Sequence, residues 1–370
     1  MPLSHVDNTM MQRLVGMSLG GCKVARPNPS VSAILTQGDR VVGMGVHAGP
    51  GTPHAEVLAI DAAGPDAKGG TLYVSLEPCT HWGRTPPCVD AIVAAGIQRV
   101  VFGVSDPNPL VRAHPAHDHL AAHGVVLDDS QMGDVFGWVH RVFFKWVTTQ
   151  RPWVTVKVAV SLNGKLALRS EGGPAYVTGP ASLQWVHERR AMCDAILVGI
   201  GTVLADDPLL TCRLGGQASP IKVILDPHGR LPLTARLWEG TRAADVWVLV
   251  SETALPDTQQ RVGGRATIVP ITLPLCWDVV MQQLAERGVY DLLVEGGLGV
   301  LQGLFEQRVV DDVDIMMAPL LIGGGGGPSF IDGAGLSGIG WSMPMTIREV
   351  TQRGPDVHIH AQVAKTGGAS

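Results

Sequence analysis

His54-Ala-Glu56 and Glu77-Pro-Cys79-Thr-His-Trp-Gly-Arg-Thr-Pro-Pro-Cys88 lie within one stretch of chain and hold three zinc-type ligands with one spare carboxylate. Their flanks decide the fold of the first half. Pro53 precedes His54, and Ala-Glu-Val-Leu-Ala-Ile-Asp-Ala-Ala then predicts a helix. His54 and Glu56 therefore fall in its first turn, where free backbone N–H groups favour negative charge. Residues 71–76 have strand composition and deliver Cys79, whereas Cys88 opens a second helix that Gly96 stops. This order predicts an α/β layer structure with its chemistry where strands hand over to helices.

A catalytic zinc takes three protein ligands and keeps a fourth position for water, and one imidazole with two thiolates offsets its double charge. His54, Cys79 and Cys88 fit. Thiolates near helix starts have lowered pKa values, which suits metal binding. Zinc brings its bound water toward neutrality, and a carboxylate must then carry the proton to substrate. Glu56 is placed for that shuttle. Zinc deaminases of nucleobases use the same order: His, a non-ligating Glu two residues on, and a later Pro-Cys. The competing readings are a buried small thiol, a turn histidine, and a closed structural zinc, which normally shows four ligands.

Around this stretch the chain is ordinary. Its 370 residues suggest two domains, and a formal net charge of −5 with 16% charged residues is that of a soluble enzyme. No basic block suggests nucleic acid, no apolar run approaches the roughly 20 residues of a membrane span, and no signal-peptide pattern opens the chain. A cytoplasmic location is expected, and a homo-oligomer is compatible with the sequence. Six cysteines are too sparse for a disulfide framework, so Cys22, Cys193, Cys212 and Cys276 read as inert thiols.

Asp7 reads as the cap of a helix over 8–19, stopped by Gly20-Gly21. Residues 31–36 and 41–46 form a predicted hairpin, 99–104 a further strand, and 136–144 one last helix. His114, His117, His119 and His123 read as solvated side chains on an exposed helix, or as a second metal site. Arg151-Pro152 marks the domain boundary, giving expected domains 1–150 and 151–366. In the second, strands are predicted at 153–160, 195–199, 221–225, 246–250 and 291–294, with helices at 180–192 and 300–307 and a closing strand at 354–360. Gly297-Leu-Gly299 has Gln302 where a dinucleotide fingerprint needs a third glycine, yet a glycine turn before a helix still suits a pyrophosphate. Gly323 to Gly327 is a flexible loop, near a cofactor or not.

Arg26-Pro-Asn-Pro-Ser30, Gly51-Thr-Pro-His-Ala-Glu-Val57, Glu77 to Cys88 and Asp106-Pro-Asn-Pro109, in that order, resemble the bifunctional riboflavin-biosynthesis deaminase/reductase of bacteria. The spacing discriminates: related nucleobase deaminases have two residues between the cysteines, and this chain has eight. Lys157 with Ser161-Leu-Asn-Gly, the run from Gly199 to Pro208, Leu210-Thr-Cys-Arg213 and Val294-Glu-Gly-Gly297 resemble the reductase half. The resemblance implies a cytidine-deaminase-like three-layer domain followed by a dihydrofolate-reductase-like domain, with Zn2+ and NADPH as cofactors.

It also implies residue roles. Asn28, His47 and Arg84 would contact the pyrimidine nucleotide, although Asn28 and His47 also read as turn residues. His81 shares the loop of Arg84. In the second half Arg190, Leu210, Arg213 and Glu295 match substrate positions, with Arg190 and Arg213 as phosphate clamps. Ala159, Thr202, Asp206 and Gly297, Leu298, Gly299, Val300, Leu301, Gln302 and Gly303 match cofactor positions, and Asp206 also faces substrate. The family's serine and tryptophan that contact substrate and cofactor are Pro174 and Tyr176 here, its aspartate is Asn163, and its second loop histidine is Trp82. Arg112-Ala-His-Pro115 replaces a glycine-rich turn, so that loop is expected to take another shape.

The implied substrate is a small-molecule pyrimidine phosphoribosyl compound, 2,5-diamino-6-(5-phosphoribosylamino)pyrimidin-4(3H)-one. Deamination with Glu56 as proton shuttle would give the uracil, and hydride from NADPH would then make its ribityl side chain. Lys157 is the candidate proton donor for that second step. Two rivals are a deaminase whose second half has decayed, motivated by Pro174 and Asn163, and a nucleic-acid-binding zinc module, which the acidic charge opposes.

Overall fold

The computed structural model describes residues 3–83, 85–166, 177–323, 327–331 and 342–364. The chain divides into two compact units, Met1–Gln150 and Arg151–Ser370.

The first unit is built on five strands: β1 (Ser32–Gln37), β2 (Arg40–Val46), β3 (Thr71–Val74), β4 (Arg99–Phe102) and β5 (Val126–Asp129). They lie in the order β2-β1-β3-β4-β5, antiparallel across β2-β1-β3 and parallel from β3 to β5. Strand alternation sends Ala33, Leu35, Leu72, Val74, Val100 and Phe102 to one face, against Ala55, Ala59, Val89, Ile92 and Leu120 of the helices there. Ile34, Tyr73 and Val101 point the other way, onto Met10, Met11, Leu14 and Phe136. Helices thus cover both faces.

Two glycines fix how closely one helix sits. A Cβ at Gly43 or Gly45 of β2 would overlap the Ala59 or Ala55 carbonyl of helix Ala55–Ala63, so only bare backbone lets helix and strand meet. His54 is the N-cap of that helix.

Several expected boundaries shift. The first helix is His5–Ala25: Ser4 caps it, and Asp7 closes a capping box from the third helical position instead of being the cap. It runs through Gly20-Gly21 and stops before Pro27. Asp7 is 2% exposed and accepts two hydrogen bonds from Arg99 and one from Tyr73. The expected single helix at 136–144 is two, Gly133–Val139 and Arg141–Thr149, parted at His140. Pro115 begins helix Ala116–Ala122 as its N-cap, with no left-handed turn.

The second unit has nine strands: β6 (Trp153–Ser161), β7 (Ala195–Gly199), β8 (Ile221–Leu225), β9 (Val246–Ser251), β10 (Thr267–Ile271), β11 (Asp291–Val294), β12 (Asp312–Ala318), β13 (Met345–Arg353) and β14 (Asp356–Val363). Their order is β10-β9-β8-β7-β11-β6-β12-β14-β13, parallel throughout except for β14, which runs antiparallel to its neighbours β12 and β13. The closing element is therefore a hairpin and not one strand. Winding reverses at β11, which lies between β6 and β7; ligands of such sheets bind beyond the strand ends at a reversal of this kind. Among the described residues no helix is long and apolar enough to cross a membrane.

Candidate active sites

In the first unit, β1 begins and β2 and β3 end at a cavity of about 400 Å3 lined by His47, His54, Glu56, Glu77, Cys79, Asp106 and Asn108, among others. The ligand atoms of His54, Cys79 and Cys88 all lie within 4.8 Å of one another. His54 Nδ1 is 2.9 Å from Cys88 Sγ and 3.5 Å from Cys79 Sγ, and the sulfurs are 3.4 Å apart. On the far side of the ring, Thr85 Oγ1 is 3.0 Å from Nε2; with the proton placed there, the Nδ1 lone pair faces the sulfurs. Hydrogen bonding to Cys88 lowers the Cys79 pKa, while Cys88, bonded to Cys79 and buried, is raised. One thiolate is thus already favoured, and the donor set of two sulfurs and one imidazole suits zinc.

Glu56 is 3% exposed, and burial raises its pKa to about 7. His47 Nδ1 donates to the Pro53 carbonyl at 3.1 Å, so its Nε2 accepts from the Asn28 amide at 2.9 Å. Burial lowers the His47 pKa, keeping the ring neutral. Asn28 and His47 therefore form one polar wall and are not independent turn residues. His81 also lines the cavity, whereas Trp82 is 74% exposed. Arg84 lies outside the described residues.

Sequence reasoning assigned no role to Asp106 or Glu77. Asp106 is buried, accepts from Asn108 N at 2.8 Å, and has its pKa raised to about 6 by that burial. Glu77 Oε1 accepts from Ala116 N at 3.2 Å, tying the cysteine loop to the helix after Pro115. The Asp-Pro-Asn-Pro run was the available signal for Asp106. Of the histidines at 114–123, none joins a metal-type cluster among the described residues: His119 sits 3.2 Å from Asp90, and its ring stacks on His123.

The second cavity, about 450 Å3, opens at the ends of β6, β7 and β11. Lys157, Ala159, Arg190, Thr202, Asp206, Leu210, Arg213, Glu295, Gly297, Leu298 and Leu301 line it. Gly299, Val300, Gln302 and Gly303 do not. Helical rotation turns Val300 into the core, Gln302 toward Glu306, to which it donates at 2.7 Å, and Gly303 against Trp277. Pro174 and Tyr176 lie outside the described residues. Gly297 caps helix Leu298–Glu306, and a Cβ there would come within 3.0 Å of Thr202 Oγ1. This bare helix start admits a phosphate-bearing cofactor.

Arg190, expected as a phosphate clamp, is paired within the protein. Its Nε and Nη2 donate to the two oxygens of Glu295 at 2.8 and 2.7 Å, and Nη1 donates to the Thr211 carbonyl at 3.0 Å. These bonds use three of its five N–H donors. Burial pushes the Glu295 pKa up, yet Arg190 outweighs it and holds the carboxylate ionised. Burial lowers the Lys157 pKa, opposed by Glu295. Asn163 accepts from Ser161 and bridges to Ile322, a structural turn role. His187 and Arg236 also line this cavity and were missed. His187 precedes Arg190 by three residues on one helix, which was the available sign.

Comparison with known proteins identifies both units. Residues 5–104 match the cytidine and deoxycytidylate deaminase zinc-binding region, and residues 152–359 match the RibD C-terminal domain. The chain is 33% identical over 358 residues to the riboflavin biosynthesis protein RibD of Aquifex aeolicus, covering 96% of this chain and 98% of that one. It is 36% identical to RibD of Bacillus amyloliquefaciens, covering 96% of each. Among solved structures, Acinetobacter baumannii RibD superposes with a TM-score of 0.82 at 31% identity, covering 97% of this chain and 99% of the other. A deaminase/reductase from Thermotoga maritima gives 0.81 at 30% identity with the same coverage. The chain belongs to the RibD family of riboflavin biosynthesis, which joins a zinc-binding deaminase domain to a reductase domain.

Proposed function

We propose that residues 1–150 deaminate the diaminopyrimidinone phosphoribosylamine to the corresponding uracil, and that residues 151–366 reduce its ribosyl group to ribityl in the cytoplasm. The observation that carries this reading is the convergence of His54, Cys79 and Cys88 within 4.8 Å on a cavity that also holds the buried Glu56.

His54 Nδ1 and the two sulfurs hold zinc in this reading. When bound, zinc supplies a Lewis acid that makes water nucleophilic at neutral pH, and NADPH supplies the hydride of the second reaction. Glu56 would take one proton of the attacking water and give it to the pyrimidine ring nitrogen, then carry the proton left on that oxygen to the amino group, which departs as ammonia. Asn28 and the neutral His47 orient the ring.

In the second unit, Thr202, Gly297 and Leu298 receive the cofactor. Glu295, held by Arg190, and Asp206 accept hydroxyl hydrogens of the ribose. Leu210 closes the floor and Arg213 takes the phosphate. Lys157 delivers the proton that accompanies hydride.

The test follows ammonia release and nicotinamide absorbance together in zinc-loaded protein given the diaminopyrimidinone. Both signals are expected, with NADPH oxidation abolished by Glu56→Gln, because reduction needs the deaminated product. Ammonia without oxidation removes the reductase assignment, and neither signal removes both.

A further inference from the structure

Arg213 lines the second cavity with its fork uncommitted. Among the described residues its Nη1 and Nη2 have no partner, in contrast to the bidentate pairing of Arg190. An exposed arginine with four rotatable bonds is poorly defined unless something holds its stem. His187 does so. Its side chain is 9% exposed, it lines the same cavity, and Arg213 Nε lies 3.1 Å from its Nε2.

The tautomer can be assigned. Arg213 presents two donors to the ring, Nε at 3.1 Å from Nε2 and the backbone N at 3.3 Å from Nδ1. A neutral imidazole accepts at only one nitrogen. The shorter contact is therefore the bond: Nε2 accepts from Arg213 Nε at 3.1 Å.

The groups facing the ring keep it in that state. Burial lowers its pKa, as do Arg190 and Arg213, with Glu295 and Thr211 opposing. A protonated ring would have no lone pair for Nε and would repel the guanidinium.

We propose that His187 is a positioning residue, which fixes the stem of Arg213 so that its two terminal nitrogens meet a phosphomonoester dianion bidentately. This rests on the reductase reading above, because the phosphate belongs to the ribosyl substrate of that cavity. A planar fork held at Nε loses little freedom on binding, which is where the affinity arises.

The experiment measures reduction kinetics of the deaminated substrate with and without its phosphate, for wild type, His187→Phe, His187→Gln and Arg213→Ala. His187→Phe removes the acceptor and keeps an aromatic ring; His187→Gln restores an acceptor near Nε2. Loss of one hydrogen bond to a charged group predicts a roughly tenfold higher KM for the phosphorylated substrate in His187→Phe. The kcat and the KM for NADPH stay within about twofold of wild type, the dephosphorylated substrate shows no change, and His187→Gln recovers most of the loss. Equal losses on both substrates, or phosphate preference intact in His187→Phe, overturn the proposal. If wild type oxidises no NADPH, the reductase reading fails on its own account, and calorimetry with ribose 5-phosphate decides this one. Weaker binding by His187→Phe than by wild type supports it, and equal binding overturns it.

Discussion

Arg190 grips Glu295 through two parallel hydrogen bonds, Nε to Oε1 at 2.8 Å and Nη2 to Oε2 at 2.7 Å, and the side chains are only 12% and 11% exposed. Removing one partner strands a buried charge. Glu295→Ala should cost about 3–5 kcal/mol in urea unfolding, whereas Arg190→Met with Glu295→Leu should cost clearly less. Equal destabilisation by the single and double variants would show that the pair is not acting through its charge. Both variants should lose reduction and keep ammonia release.

Glu56 and Cys88 separate chemistry from metal retention. Glu56→Gln should retain zinc by elemental analysis and lose about 10²–10⁴-fold in ammonia release. Cys88→Ser should lose zinc, because the sulfur sits 2.9 Å from His54 Nδ1 and 3.4 Å from Cys79 Sγ. A chelator should abolish ammonia release in wild type, and added zinc should restore it. Full activity of metal-free protein would contradict the assigned ligand set.

His140 predicts an acid-sensitive contribution to stability. Burial pulls its pKa down to about 4, against Ser75, so the folded state holds the ring neutral. The unfolded chain, titrating near 6.5, binds more protons between those values, and stability therefore falls as pH drops through that window. The loss should approach about 3 kcal/mol by pH 4 and be absent above pH 7. In urea titrations His140→Phe should flatten the slope between pH 6.5 and 4; an unchanged slope would place the titration elsewhere.

Gly297 should discriminate between the two sites. A Cβ there meets Thr202 Oγ1 at 3.0 Å, so Gly297→Ala should raise the KM for NADPH several-fold and leave deamination untouched. Thr202→Ala combined with Gly297→Ala frees that space and should recover part of the loss. A normal KM in Gly297→Ala would move the cofactor away from this helix start.

What could be read from sequence was set by local chemistry. Strands at 195–199, 221–225 and 291–294 and the helix at 180–192 are apolar runs or helical patterns bounded by turn residues or proline, and they stand where the pattern put them. The metal triad was readable because its residue types are rare in combination. Met345–Arg353 escaped because the strand is exposed along most of its length and carries no alternating apolar face. His140 escaped as a helix break because its cause is tertiary, a buried ring bonded to Ser75. The pairing of Arg190 with Glu295 spans 105 residues and leaves no trace in either neighbourhood. Gly299, Val300, Gln302 and Gly303 fell away from the cavity because a loop-wide assignment ignored the rotation of the helix.

The place of β11 also governs how the chain is made. β6 and β7 must each leave an edge open until Asp291–Val294 arrives to fill the gap between them. During synthesis those two edges stay unpaired while about 100 further residues are added after β7, so the reductase sheet closes late and by a long-range step. The deaminase strands all lie before residue 130 and need no such wait. A ribosome stalled in the second half thus carries a first unit whose strands are all made, together with a second whose open strand edges are the kind that aggregate.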